Sequence, residues 1–220
     1  MTSTHATSRV ERVFDRVAAG YDRQIAWSEK LLLGNARAWA VAQASGTVVE
    51  IGVATGLNLP LYDSQVTHVT AVDLSQQMLD IARDRIPATD TDRFTLRHGD
   101  VEHLDLPDAC VDTVVSTYTF CTIPDPLAAA REAFRVLRPG GRFVLAEHGP
   151  ARNRLANTIM RAAETITVRF AADHLTRDPG PYLSDAGFTL ESVNRTGRGA
   201  ITFRILARKP ATSLAVQPQP

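Results

Sequence analysis

The chain predicts a three-layer α/β sandwich around one seven-stranded, mostly parallel sheet whose last strand runs antiparallel. Three observations predict it. Short β-branched runs alternate with stretches of helical periodicity along most of the 220 residues. The segments joining the first five runs are long enough to return across a sheet face, which implies parallel pairing with right-handed crossovers. The last two runs, 190–195 and 201–208, are joined through Gly197-Arg198-Gly199. That link is too short for a helical crossover, so they pair antiparallel.

Each element has a local reason. Residues 1–8 read as disordered. Val10, Val13, Phe14 and Val17 repeat at helical spacing, so 9–19 reads as a short amphipathic helix ending at Gly20. A second helix covers 29–44 and closes at Ser45-Gly46. Strands follow at 47–51 and 66–72; between them, 57–63 opens a crossover with Pro60 near a helix start. Ser75 caps a helix running to Arg85, with Met78, Leu79 and Ala82 inward, and Pro87 stops it. The third strand is 94–98 and the fourth 111–117. Asp125-Pro126 joins an N-cap acid to a first-turn proline and starts a helix to Leu137. Pro139-Gly140-Gly141 then turns into a fifth strand at 142–147. A helix over 152–171 carries Ile159, Met160, Ala163, Ile166 and Phe170, with Arg154, Arg161 and Arg169 nearby; the stripe reads as core-facing. A short helix spans 179–186. The tail 211–220, rich in proline and glutamine, reads as disordered. The expected organisation is a lid segment at 1–28, one domain at 29–210 and the tail.

Composition narrows the function. Lys plus Arg and Asp plus Glu number 24 each, so no global charge draws the chain to nucleic acid. No apolar run approaches the ~20 residues that span a bilayer, and the N-terminus lacks a signal-peptide pattern. Membrane contact is not expected. Cys110 and Cys121 are too few for a disulfide framework and read as reduced thiols of a cytoplasmic protein. The oligomeric state is left open.

The chemistry concentrates in Val48-Val49-Glu50-Ile51-Gly52-Val53-Ala54-Thr55-Gly56. An apolar run ends in an acid and a glycine-punctuated turn follows; Val72-Asp73 then closes the next apolar run. Strand, tight turn and second-strand carboxylate make a nucleoside site, with the carboxylate placed for ribose hydroxyls. The turn reads E-x-G-x-x-x-G, not G-x-G-x-x-G, and has no Arg or Lys for a pyrophosphate. That argues against a nicotinamide-dependent oxidoreductase and for a small zwitterionic nucleoside.

This turn resembles the glycine-rich motif of class I S-adenosylmethionine (SAM)-dependent methyltransferases. The resemblance extends to Tyr21-Asp22 upstream, Gly99-Asp100-Val101 after the third strand, and Arg135-Val136-Leu137-Arg138-Pro139-Gly140-Gly141 before the fifth, covering roughly residues 14 to 148. It implies a Rossmann-like sandwich, SAM as methyl donor and S-adenosylhomocysteine as product. The branch is similar to small-molecule methyltransferases of the ubiquinone/menaquinone, phospholipid N-methyl and thiol S-methyl groups. One departure is Ala54, where the family usually has glycine. Its methyl argues against a strongly left-handed backbone there.

The resemblance implies donor contacts from Glu50, Gly52, Ala54 and Gly56, from Asp73 to the ribose, and from Gly99, Asp100 and Val101 to the adenine. Leu74 and Met78 are expected near the nucleoside, and Ser116 and Thr117 near the donor. Tyr21, on the lid, is expected to reach the donor's carboxylate and take part in catalysis. Trp27, Phe120, Cys121 and His174 are candidates for the acceptor pocket. His148, after Glu147 at the end of the fifth strand, is the best-placed base and a second candidate for both roles. No residues show zinc-like spacing, so no metal is expected. The expected reaction moves the sulfonium methyl to a small nucleophile by in-line displacement. A thiol is favoured because it needs little base assistance. The alternatives are a phospholipid or other amine acceptor, or a SAM-binding protein that transfers nothing.

Overall fold

In the computed structural model, which describes residues 2–211, the seven strands form one sheet in the order β3-β2-β1-β4-β5-β7-β6. They are β1 (Gly46–Ile51), β2 (Val66–Asp73), β3 (Phe94–His98), β4 (Val111–Thr117), β5 (Leu137–His148), β6 (Thr189–Thr196) and β7 (Thr202–Arg208). The first five are parallel, and β7 runs against both β5 and β6. Strand order reverses at β1, between β2 and β4. The crevice above such a reversal, at the carboxyl ends of the strands, is where open α/β sheets bind ligands.

Alternation along the strands feeds both faces. Val49, Ile51, Val114, Phe143 and Leu145 enter one core, while Val48, Val69 and Val115 enter another. Full burial of each such side chain stabilises by ~1.5–3 kcal/mol. The first core packs against α4 (Pro126–Val136) and α6 (Gly180–Asp185), the second against α3 (Gln76–Arg83). The predicted caps are in place. Ser75 Oγ accepts from Met78 N at 3.2 Å, and Asp125 Oδ1 accepts from Ala128 N at 3.0 Å.

Several expectations need correction. Residues 2–8 are helical: α1 runs over Thr2–Ser28 and continues as a π-helical turn, Glu29–Leu33. Gly20 lies inside α1 and does not end it; at residue 28, the expected end of the lid segment, the helix passes directly into the π-helical turn. Three ties hold α1 helical across Gly20. Asp15 accepts from Ser75 Oγ at 2.5 Å, Asp22 accepts from Thr55 Oγ1 at 2.6 Å, and Asp22 pairs with Arg85. The expected helix 29–44 is broken by Gly34, at φ 71°, which separates the π turn from α2 (Ala36–Val41). The first crossover contains only a 3₁₀ turn, Leu59–Leu61. Strand β5 begins at Leu137, with a register shift against β4 opposite Pro139-Gly140-Gly141. The expected disordered tail lies outside the described residues except for Ala211.

The helix α5 (Arg154–Ala171) forms where expected, capped by Asn153 Oδ1, but it is turned inside out. None of its residues is buried, and Leu155, Ile159, Ile166 and Phe170 are 61–72% exposed. Its apolar stripe is therefore not core-facing.

Candidate active site

The turn after β1 is built by its backbone. Gly52 N and Val53 N both donate to Val72 O, at 2.8 and 3.1 Å, carrying the β1–β2 pairing past the strand end. Gly52 has φ 69°, and a Cβ there would lie 2.2 Å from Thr119 Cγ2. Only glycine fits both the conformation and the space. Gly56, at φ 81°, closes the turn against Leu59 and Ala82. Ala54 adopts φ 48°, contrary to the expectation. The αL region costs a non-glycine residue of order 1–2 kcal/mol. The hydrogen bond from Ala54 N to Asp73 Oδ2 at 2.8 Å holds it there.

Asp73 sits at the carboxyl end of β2. Its Oδ2 takes the Ala54 amide and its Oδ1 takes the Ser75 amide at 2.9 Å. Each oxygen keeps a second acceptor site, the geometry a vicinal diol needs. Burial raises the Asp73 pKa above the ordinary carboxylate value, with the two amides pulling it back. Gly52, Ala54, Leu74, Asp100, Val101 and Thr119 line the cavity beside Asp73, under Val10 and Phe14 of α1. Asp100 is oriented by accepting from Glu102 N at 2.9 Å.

Other expected donor contacts lie behind this wall. Glu50 is buried, accepting from Tyr62 Oη at 2.8 Å and Asn58 Nδ2 at 2.9 Å. Burial lifts its pKa to about 7, opposed by Tyr62, Arg37 and Asn58. Arg37 donates to Asn58 Oδ1 and Thr117 Oγ1, at 2.9 and 3.2 Å, and pairs with Glu29 at 2.7 Å. Thr117 thus belongs to this supporting network, and Ser116 donates to Glu147 at 3.3 Å. Met78 is fully buried beneath α3 and does not reach the cavity. Gly99 continues the sheet by donating to Asp73 O at 3.0 Å. Gly56, Glu50, Met78, Gly99, Ser116 and Thr117 therefore stand behind the lining of this cavity.

A second, largely apolar cavity adjoins the first and shares Phe14, Tyr21, Tyr118 and Thr122 with it. Val13, Val17 and Ile25 of α1 and Phe170 of α5 form its walls; Cys121, His148 and Asp173 converge in it. Tyr21 stands at the junction, and burial pushes its phenol well above the ordinary value. Tyr118 also stands there, in the αL region at φ 56°. Such strain persists only where surrounding structure enforces it. Here Tyr118 N bonds Ala146 O at 2.8 Å and Arg37 lies 5.4 Å over the ring.

The acceptor candidates divide. Cys121 and His148 line this cavity. Trp27 is 63% exposed and lines neither cavity. Phe120 is buried in the core against Phe143, ring centroids 5.8 Å apart. His174 turns away to Glu164, 3.2 Å distant, and its neighbour Asp173 enters instead. His148 Nε2 lies 3.2 Å from Asp173 Oδ1, and His148 also bonds the Leu175 backbone. Burial pushes the imidazole pKa down, but these partners and Glu147 outweigh it and hold the value above the ordinary one. His148 is thus engaged by acceptors rather than standing as a free base. Glu147 is buried, and its Oε1 accepts from Thr119 N and Phe120 N at 2.7 and 3.0 Å.

The sequence reading missed Arg37, Asn58 and Tyr62, which hold Glu50, and Asp22 and Arg85, which tie α1 to the donor turn. Only Asp22 carried a signal, beside Tyr21. The others sit outside any motif.

A methyltransferase-domain family matches residues 49–145, from β1 to β5. A phosphatidylethanolamine N-methyltransferase of Cereibacter sphaeroides is 36% identical over 146 residues, covering 61% of this chain and 69% of that protein. The chain belongs to the class I SAM-dependent methyltransferases. A demethylmenaquinone methyltransferase of Clavibacter sepedonicus is 30% identical over 146 residues, covering 63% of this chain but only 58% of that protein. Among solved structures, a chain of the Haloferax volcanii complex between the Trm112 methyltransferase activator and a methyltransferase superposes with a TM-score of 0.71. It is 21% identical, with 90% of this chain and 97% of that chain covered, and shares the fold. SAM is the donor of this methyltransferase, and the first cavity fits it: a glycine cradle that a Cβ would fill stands beside a carboxylate with two free acceptor sites. Among the described residues, no helix is long and apolar enough to cross a membrane.

Proposed function

We propose that the enzyme transfers the SAM methyl group to a small apolar thiol held in the second cavity. The supporting observation is that this apolar cavity adjoins the donor cavity while its one histidine is engaged by Asp173. Bound SAM supplies an electrophilic methyl on a sulfonium. Asp73 and the Gly52 turn hold the donor. Phe14, Tyr21 and Tyr118 align the acceptor and exclude water. Proximity and orientation of this kind supply up to ~7–11 kcal/mol. A thiol suits such a site because its thiolate fraction is nucleophilic near neutral pH without a dedicated base. Helix α1 serves as the lid, since it covers both cavities and is tied to the donor turn through Asp22. The free thiols of Cys110 and Cys121 fit a reducing, cytoplasmic setting.

A second reading is a lipid-borne amine. The outward stripe of α5, flanked by Arg154, Arg161 and Arg169, supports it, because such helices lie on anionic lipid surfaces. Phe170 belongs to both the stripe and the cavity. The name of the Cereibacter sphaeroides relative points the same way. The deciding experiment offers thiols, amines, phenols and phosphatidylethanolamine vesicles to the enzyme with methyl-labelled SAM. Label on a thiol supports the first reading, and label on phosphatidylethanolamine the second. Tight SAM binding with no labelled acceptor would leave a donor-binding protein that transfers nothing.

A further inference from the structure

We propose that Cys121, His148 and Asp173 bind a zinc-class divalent cation at the floor of the acceptor cavity. The three residues come from the loop after β4, the end of β5 and the loop after α5. Their Sγ, imidazole nitrogen and carboxylate oxygen all lie within 4.8 Å of one another. Zinc with bonds of ~2.0–2.3 Å sets its ligand atoms roughly 3.3–3.8 Å apart, so small side-chain rotations close the set. A sulfur, a nitrogen and an oxygen donor form the mixed set that borderline-soft divalent ions prefer over magnesium or calcium.

The surroundings are those of a prepared site. Asp173 Oδ1 is buried and 3.2 Å from His148 Nε2, so the two prospective ligand atoms already face each other. Glu147 Oε2, on the residue before His148, is buried and unpartnered. The Leu175 backbone engages His148, the outer contact that fixes a ligating imidazole. The loops are locked together. His174 N donates to Cys121 O at 3.0 Å, and Arg177 donates to Phe120 O and Ile123 O at 2.6 Å each. Ala172, at φ 54°, turns the chain off α5 so that Asp173 faces inward. With the metal bound, a thiolate and a carboxylate with a neutral imidazole would carry two negative charges, which a divalent ion neutralises.

Three protein ligands leave a fourth position, and the cavity lies in front of it. A thiol acceptor fits that position; this step rests on the thiol reading above. On binding, the thiol releases its proton to solvent. Its sulfur then forms a bond to the methyl carbon as the carbon–sulfonium bond breaks and that electron pair returns to the donor sulfur. Thiol and SAM become methyl thioether, S-adenosylhomocysteine and one proton.

The test uses Co²⁺ alone as the probe, added to the full-length protein. One equivalent should bind and give a thiolate-to-cobalt charge-transfer band in the near ultraviolet, with Zn²⁺ displacing it. C121S should abolish the band, and H148A or D173N should weaken binding at least tenfold. C110S should leave it intact. The other cluster of candidate ligands, Asp100, Glu102 and His103, has no sulfur and cannot produce the band. Cobalt binding without that band, or a band unchanged in a folded C121S protein, overturns the proposal. A band that shifts on adding a thiol supports the fourth position. A band that forms while no thiol accepts label keeps the metal site and rejects the thiol reading.

Discussion

The two cavities meet at Tyr21 and Tyr118 but are made in different ways. The donor side is built by backbone: two strand ends, a glycine turn and amides that orient Asp73. Its determinants, the Gly52–Gly56 turn and Asp73, sit at the ends of two consecutive strands, β1 and β2. The acceptor side is built by side chains from α1, the β4 and β5 ends, and α5, drawn from most of the chain between Val13 and Asp173. The first is rigid by hydrogen bonding, and the second is shaped by how elements pack.

The sharpest way to break the contrast is Gly52→Ala. Its Cβ would strike Thr119, and φ 69° disfavours any side chain. Strain of ~1–3 kcal/mol and overpacking of similar size should weaken SAM binding ~30-fold or more. Calorimetry on protein whose circular dichroism is unchanged would check it, and an unaltered dissociation constant would show that the turn is not the donor cradle.

Glu50 gives a pH signature to the donor side. Its folded pKa, about 7, lies above the unfolded value near 4.5, so the folded state binds the extra proton. Stability from this group is fully present below pH ~4.5 and falls as pH rises towards 7, by about 3 kcal/mol at most. Arg37, Asn58, Tyr62 and Asp73 are the groups facing it. Glu50→Gln should flatten the stability profile between pH 5 and 7.5, measured by urea unfolding of the donor-free protein. A profile as steep as that of the parent would place the titration elsewhere.

Asp73→Ala should cost ~1.5–3 kcal/mol of SAM binding while leaving the fold intact. Acceptor KM should barely move, because Asp73 does not line the second cavity. Equal losses on both sides would mean the two cavities are not separable.

Two smaller effects sharpen the comparison. Ala54→Gly relieves the αL strain at φ 48° and should stabilise by ~1 kcal/mol, seen as a higher unfolding midpoint. Gly20→Ala puts a methyl into open space inside α1 and should stabilise by ~0.5–1 kcal/mol. If α1 moves as a rigid lid, turnover stays constant; a fall in turnover would identify Gly20 as a hinge.

What the sequence determined by itself was the part whose causes are local. Alternating runs set seven strands and their directions, Ser75 and Asp125 set two helix starts, and Glu50-x-Gly52 with Asp73 set the donor turn. Each depends on conformational preferences and hydrogen bonds within one element or between two consecutive strands. Tertiary structure decided the rest. The ties from Asp15 and Asp22 carry α1 through Gly20. Packing turned the α5 stripe outward and sent Trp27, Phe120 and His174 away from the acceptor cavity. Acceptors on neighbouring strands, the Asp73 carboxylate and the Ala146 carbonyl, hold Ala54 and Tyr118 in the left-handed region. Cys121, His148 and Asp173 have no spacing that marks them, because what brings them together is the parallel pairing of β4 with β5 and the return of the chain after α5. Such contacts depend on how distant segments share one sheet, and no window of sequence records that.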